Sequence, residues 1–143
     1  MATAAAVVAC ALVLLGRPPN TMPSLAFLEQ PPPGISPNAE AFVARNPDTI
    51  YLITSTAVFG AARAAQPECS DRSSQVKLAS ILAHELWHVV NGSDEQGAYT
   101  AQLVTLAWLG VHPNDPVYAG VHRSMMAAVK GRRARWSEHS PAR

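Results

Sequence analysis

Proline divides this chain before any other residue does. Of its twelve prolines, Pro18, Pro19, Pro23, Pro31, Pro32, Pro33, Pro37 and Pro47 all fall between positions 17 and 48. Each fixes φ and removes a backbone donor, so regular ladders are not expected there. Residues 17–48 read as a linker or extended wrap, partly polyproline II. Within them Leu25-Ala26-Phe27-Leu28 can dock a short apolar patch, and Ala39 to Ala44 can form one helical turn or two. Between Pro67 and Pro113 there is no proline at all, and that stretch is free to form long helices.

The best strand is Thr49-Ile50-Tyr51-Leu52-Ile53-Thr54, a β-branched and aromatic run between Asn46-Pro47-Asp48 and Ser55-Thr56. The Ala-rich residues 56–66 suggest a short helix stopped by Pro67. A longer helix is expected from Ser73 or Ser74, either able to cap it, to Asn91-Gly92, residues that tolerate a left-handed end. Ser93 and Gln96 have the spacing of a capping box, opening a second helix whose apolar residues Leu103, Leu106 and Leu109 run to Gly110. Asn114-Asp115-Pro116 then supplies an N-cap and first-turn proline for a last helix to about Lys130. Its Val117, Val121, Met125 and Val129 repeat every four residues and should face the core. The expected fold is mainly α with a minor β component, an α+β chain built around a helical hairpin.

The first long helix carries the chemistry. His84 and His88 lie four apart, so their imidazoles share a face, and Glu85 sits beside that face. Two neutral imidazoles suit zinc, while the neighbouring carboxylate can take a proton from a water that the metal activates. Core histidines without a metal are the bland reading, but that reading leaves Glu85 as a charge beside the buried side of the helix, which is costly.

At these residues the chain resembles the zincin metalloproteases, whose H-E-x-x-H signature is written here as His84-Glu85-Leu86-Trp87-His88. The uncharged flanks Ile81, Leu82, Leu86, Trp87, Val89 and Val90 extend the likeness, which covers about residues 78–102. It implies a zinc-dependent hydrolase acting on a peptide or protein substrate, with His84 and His88 as ligands and Glu85 as general base. It also makes the strand at 49–54 a candidate rail that holds an extended substrate by backbone pairing; a plain core strand is the other reading. A catalytic zinc needs a third protein ligand. Asp94, six residues after His88, matches the metzincin position, although that pattern has glycine at 91 where this chain has Asn91. Glu95 resembles the gluzincin arrangement, a Glu from a second helix, at a shorter spacing. Glu95 is preferred because Ala98, Tyr99 and Gln102 continue its face. Tyr99, one turn on, can steady a ligand or the oxyanion of a tetrahedral intermediate, or simply pack. A zinc protein with a structural or interaction role and no proteolytic activity is the alternative.

The remaining features bound the setting. At 143 residues and 48% apolar content the chain fits one domain. A formal charge of +1 gives no global pull toward nucleic acid. Residues 1–16 contain twelve uncharged positions from Ala4 to Leu15, too few to cross a bilayer as a helix but enough for the apolar part of an export signal. Export is therefore expected, with membrane contact only if this segment stays as a short anchor. Removal of the signal would leave Cys69 without the only other cysteine, Cys10, so no disulfide is expected. His112 and His122 lack ligand spacing to another donor and are not expected at a metal. Residues 49–131 thus form the expected metal-binding domain, and 132–143 a basic tail, solvated and disordered toward its end.

Overall fold

The computed structural model describes residues 2–64, 69 and 71–139, with side-chain surroundings up to 131. In chain order the elements are helix α1 (Ala4–Leu15), strands β1 (Ser24–Leu28), β2 (Ala41–Ala44) and β3 (Thr49–Ile53), and helices α2 (Ala57–Ala64), α3 (Arg72–Asn91), α4 (Glu95–Trp108) and α5 (Pro116–His139). The chain is mainly helical with a small three-stranded sheet ordered β1-β3-β2. β1 runs parallel to β3 and β2 antiparallel to it.

The sheet corrects the reading of residues 17–48 as a linker. Two of its three strands come from that segment, and Ala41–Ala44 is extended, not a helical turn. The prolines punctuate the segment and leave β1 and β2 free of them, so each strand has its full set of backbone donors. Alternation sorts the two faces. Ile50 and Leu52 are buried, and their partners Leu25, Phe27, Ala41 and Val43 pack on the core with them. Phe27 meets Phe59 of α2 edge-on at 6.1 Å. On the opposite face Phe42 and Tyr51 stack at 4.9 Å.

The apolar run at 4–15, expected as an export signal or anchor, is a core element. Thr3 caps it by accepting from the Ala6 N–H, and Gly16 ends it in the left-handed region at φ 63°. Val7, Val8, Ala11 and Leu12 are buried against the same core as Ile50, Phe59, Leu82 and Leu106. Cys10 is disulfide-bonded to Cys69, which corrects the expectation that Cys69 has no partner. No helix among the described residues is long and apolar enough to cross a membrane. The separation of 1–16 and 17–48 from a domain at 49–131 therefore gives way to one core shared by all three.

α3 lies at the centre, touching α1, α2, α4 and β2, while α4 packs on α5. Its first turn is organised by Asp71, whose carboxylate accepts from the hydroxyls of Ser73 and Ser74, so the serines lie inside the helix. It ends as expected at Asn91, with Gly92 at φ 97°. α4 is capped by Asp94, which accepts from the Gln96 N–H, so the cap falls one residue later than Ser93. Asp115 caps α5 by accepting from the Val117 N–H, with Pro116 in the first turn. α5 continues to His139, past the expected end near Lys130, so residues 132–139 of the expected disordered tail are helical. Residues 140–143 and the expected stop at Pro67 lie outside the described residues.

Candidate metal centre

Gly92 turns the chain so sharply that the first residue of α4 returns to the last turns of α3. Glu95 then faces His84 and His88, and a ligand atom from each of the three lies within 4.8 Å of the others, a group that can hold a metal ion. Donors on a tetrahedral zinc sit about 3.4 Å apart, so modest rotamer adjustment brings this group onto an ion. Glu95 Oε1 is in direct contact with His88 Nε2 and 3.7 Å from His84 Nε2. Asp94, the other candidate, spends its carboxylate on the α4 cap.

Each imidazole is held by its other nitrogen. His84 Nδ1 is 2.9 Å from Gln102 Oε1, and His88 Nδ1 is 2.7 Å from the Gly92 carbonyl oxygen. Carbonyl oxygens only accept, so both Nδ1 atoms carry a proton, and both Nε2 atoms face Glu95, to which they donate when protonated and beside which a bound metal ion would take their lone pairs instead. Gln102 is itself oriented, donating from Nε2 to Ser80 Oγ at 3.2 Å, and Ser80 donates to the Lys77 carbonyl at 2.7 Å. Gln102 lies seven residues after Glu95 on one helical stripe, a spacing visible in the sequence, but its role as the partner of His84 is not. Tyr99 meets the His84 ring edge-on at 4.6 Å, and its hydroxyl lies beside that of Ser124. Its contact with the site is thus through a ligand side chain. His112 accepts from the Asn114 N–H in the loop before α5, and His122 is exposed, so neither joins the group.

Burial and charge set the protonation. Burial pulls the His84 pKa down, but its hydrogen bond with Glu95 and the charges of Glu85 and Glu95 outweigh that and hold it above 6.5. The His84 hydrogen bond, with further help from His88, holds the Glu95 carboxyl below 4.5 against a smaller burial penalty. Glu85 is 6% exposed. Burial pushes its carboxyl above 4.5, opposed by the neighbouring imidazoles and aided by the charge of Glu95. The same turn of helix therefore carries the two imidazoles of the group and a carboxyl whose burial favours its neutral form.

These groups line an open cavity of about 750 Å³ between β2, α3 and the first half of α5. The strand beside it is β2. The expected rail at 49–54 is the central strand, its backbone paired on both sides, and cannot receive a further strand. β2 has a free edge. The Glu40 carbonyl accepts from the Ile53 N–H, so by antiparallel alternation Ala41 and Val43 turn their N–H and C=O groups away from β3. Glu40 pairs with Lys77 at 3.3 Å, and Arg45 donates to the His88 and Val89 carbonyls at 2.5 and 3.1 Å. Five strand steps and eleven helix steps both measure about 16 Å, so β2 lies along α3 with each end tied down. Neither a protein-family model nor a curated protein nor a solved structure matches the chain, so the functional reading rests on this geometry and on the motif.

Proposed function

We propose that the chain is a zinc-dependent hydrolase that cleaves peptide bonds, a small zincin-like metallopeptidase. The observation that carries the reading is the convergence of His84, His88 and Glu95 on one point at an open cavity, with buried Glu85 beside them and outside the ligand group. Two imidazole nitrogens and one carboxylate oxygen are a donor set suited to zinc, and three protein donors leave a position open, as catalytic sites require and structural ones do not. When bound, the ion supplies Lewis acidity toward a water and a carbonyl oxygen. The chain's residues do the rest. The free edge of β2 can pair with an extended peptide and lay its carbonyl near the ligands. Glu85 takes a proton from the attacking water as its oxygen bonds to the carbonyl carbon, then delivers it to the leaving nitrogen as the C–N bond breaks. Tyr99 and Gln102 keep His84 in position. The Cys10–Cys69 disulfide suits an oxidising compartment, which supports export as the proposed location.

The test uses the full chain purified without an affinity tag. Near-stoichiometric zinc at neutral pH is expected, and less than about half an equivalent would remove the metal from the proposal. Glu85→Gln should keep zinc and lose hydrolysis of an unselective protein substrate. Zinc retained by both proteins with no hydrolysis by either, across a broad peptide library, would favour a structural or interaction role.

A further inference from the structure

The last turn of α3 ends on Asn91-Gly92, and of Asn20, Asn38, Asn46, Asn91 and Asn114 only Asn91 precedes a glycine. The pairing matters chemically. A backbone nitrogen can close on the carboxamide of the asparagine before it, and a glycine nitrogen has no Cβ beside it to crowd the approach. Asn91 is exposed, and a Cβ built on Gly92 would meet nothing within 4 Å, so a ring has room to form. Hydrogen bonds oppose it. The Gly92 N–H donates to the His88 carbonyl at 2.9 Å and Asn91 Nδ2 donates to the Trp87 carbonyl at 3.1 Å, which engages both the nucleophile and the group it would attack. Arg45, just past β2, donates to the same His88 carbonyl at 2.5 Å and to the Val89 carbonyl at 3.1 Å. Helix ends are where local opening takes least free energy, so ring closure waits on this turn and on what holds it.

We infer that Asn91-Gly92 is a self-modification site, gated by the turn that brings Glu95 back to His84 and His88. When the turn opens, the Gly92 nitrogen bonds to Asn91 Cγ, the Cγ–Nδ2 bond breaks, and ammonia leaves with the proton from that nitrogen. Water then opens the succinimide. Attack at Cγ yields an ordinary aspartate. Attack at the main-chain carbonyl carbon of Asn91 breaks its bond to the Gly92 nitrogen and yields isoaspartate, whose chain runs through the former side chain and is one carbon longer. The rebuilt peptide lies between His88 and Glu95, and the Gly92 carbonyl next to it accepts from His88 Nδ1 at 2.7 Å. A longer backbone here displaces Glu95 from the imidazoles, and either product puts a carboxylate at a helix C-terminus, where the dipole disfavours it. The effect on metal binding rests on the proposed zinc site, while the ring closure does not.

The test ages the full chain at mildly alkaline pH with and without zinc. Peptide mapping follows each asparagine, and an isoaspartyl-specific methyltransferase counts the rearranged product. In the metal-free chain Asn91 should convert ahead of Asn20 and Asn38. With saturating zinc, His88 and Glu95 are held across the turn, and conversion should slow at least about tenfold. Arg45→Met removes the guanidinium from the His88 and Val89 carbonyls and should speed conversion about fivefold without metal. Lys77→Met breaks the tie at the other end of β2 and should leave the rate unchanged. The aged chain should lose about tenfold or more in zinc affinity. Asn91→Gln, whose longer side chain closes the ring poorly, should age without that loss. No conversion at Asn91 ahead of the other asparagines, a rate blind to bound zinc or to Arg45→Met, or an aged chain that binds zinc as the fresh one does overturns the inference. A fresh chain that takes up no zinc counts against the metal reading instead, and the Arg45→Met rate then still decides whether the turn gates the chemistry.

Discussion

At the scale of single residues, the site depends on which nitrogen of each imidazole carries the proton. Gln102 and the Gly92 carbonyl accept at Nδ1, and Nε2 is left to face Glu95. Gln102→Leu removes the acceptor and also leaves Ser80 Oγ without its donor, so zinc affinity should fall by about 10–100-fold, read by competition with a chromophoric chelator. Unchanged affinity would mean that packing alone sets the ring. Glu85 supplies a second prediction at this scale. Burial holds its folded pKa above 4.5, so the folded state binds a proton that the unfolded state releases, and apoprotein stability falls as pH rises from about 4.5 through the raised value. Glu85→Gln has no such loss. Its melting temperature without metal should exceed the wild type's at pH 8, with the gain fading toward pH 4.5. Saturating zinc should shrink the gain by favouring the carboxylate's charge. A gain that does not change with pH would exclude a buried charge as the cause.

At the scale of elements, the α3–α4 hairpin is set by Gly97. A Cβ there would overlap the Trp87 indole, which packs on α4 and meets the His88 ring edge-on at 5.8 Å. Helix propensity favours Gly97→Ala by up to ~1 kcal/mol, but overpacking costs about 1–3 kcal/mol. The clash should win. Urea unfolding is expected to show a net loss of stability, with weaker zinc binding because Glu95 lies two residues before the displaced point. A stability gain would show that Trp87 swings aside freely. The helix ends at this hairpin were legible from local chemistry, since Gly92 and Asp94 need only their neighbours to act. β1 and β2 were not. Their register comes from β3, up to 25 residues away in the parallel pair Ser24↔Thr49, and short strands among prolines carry no periodicity of their own.

For the whole molecule, α1 and its disulfide join the first residues of the chain to the same core that supports α3. The Cys10–Cys69 bridge spans a sequence separation of 59, for which loop-closure entropy gives about 4 kcal/mol. The Cys10→Ser, Cys69→Ser double variant should lose about 2–4 kcal/mol in denaturant unfolding. Removing residues 1–16 takes away Val7, Val8, Ala11 and Leu12 as well, and the cooperative transition itself should disappear from calorimetry. A truncated chain that melts like the full one would make α1 an appendage.

The sequence alone determined what depends on near neighbours. The four-residue spacing of His84 and His88 puts them on one helical face, Asn91-Gly92 ends that helix, and Asp115-Pro116 starts another. It also narrowed the candidates for a third donor to two adjacent acids, Asp94 and Glu95. Only the tertiary structure groups Glu95 with the two histidines while Asp94 caps α4, because the sharp turn at Gly92 decides which of the two side chains faces back onto α3. It alone placed β3 at the centre of the sheet with β2 at an edge beside the cavity, and it alone gave the apolar N-terminal run a place in the core. An uncharged run of twelve residues looks the same whether it is buried by protein or led to a membrane, and the difference lies in what the rest of the chain packs against it.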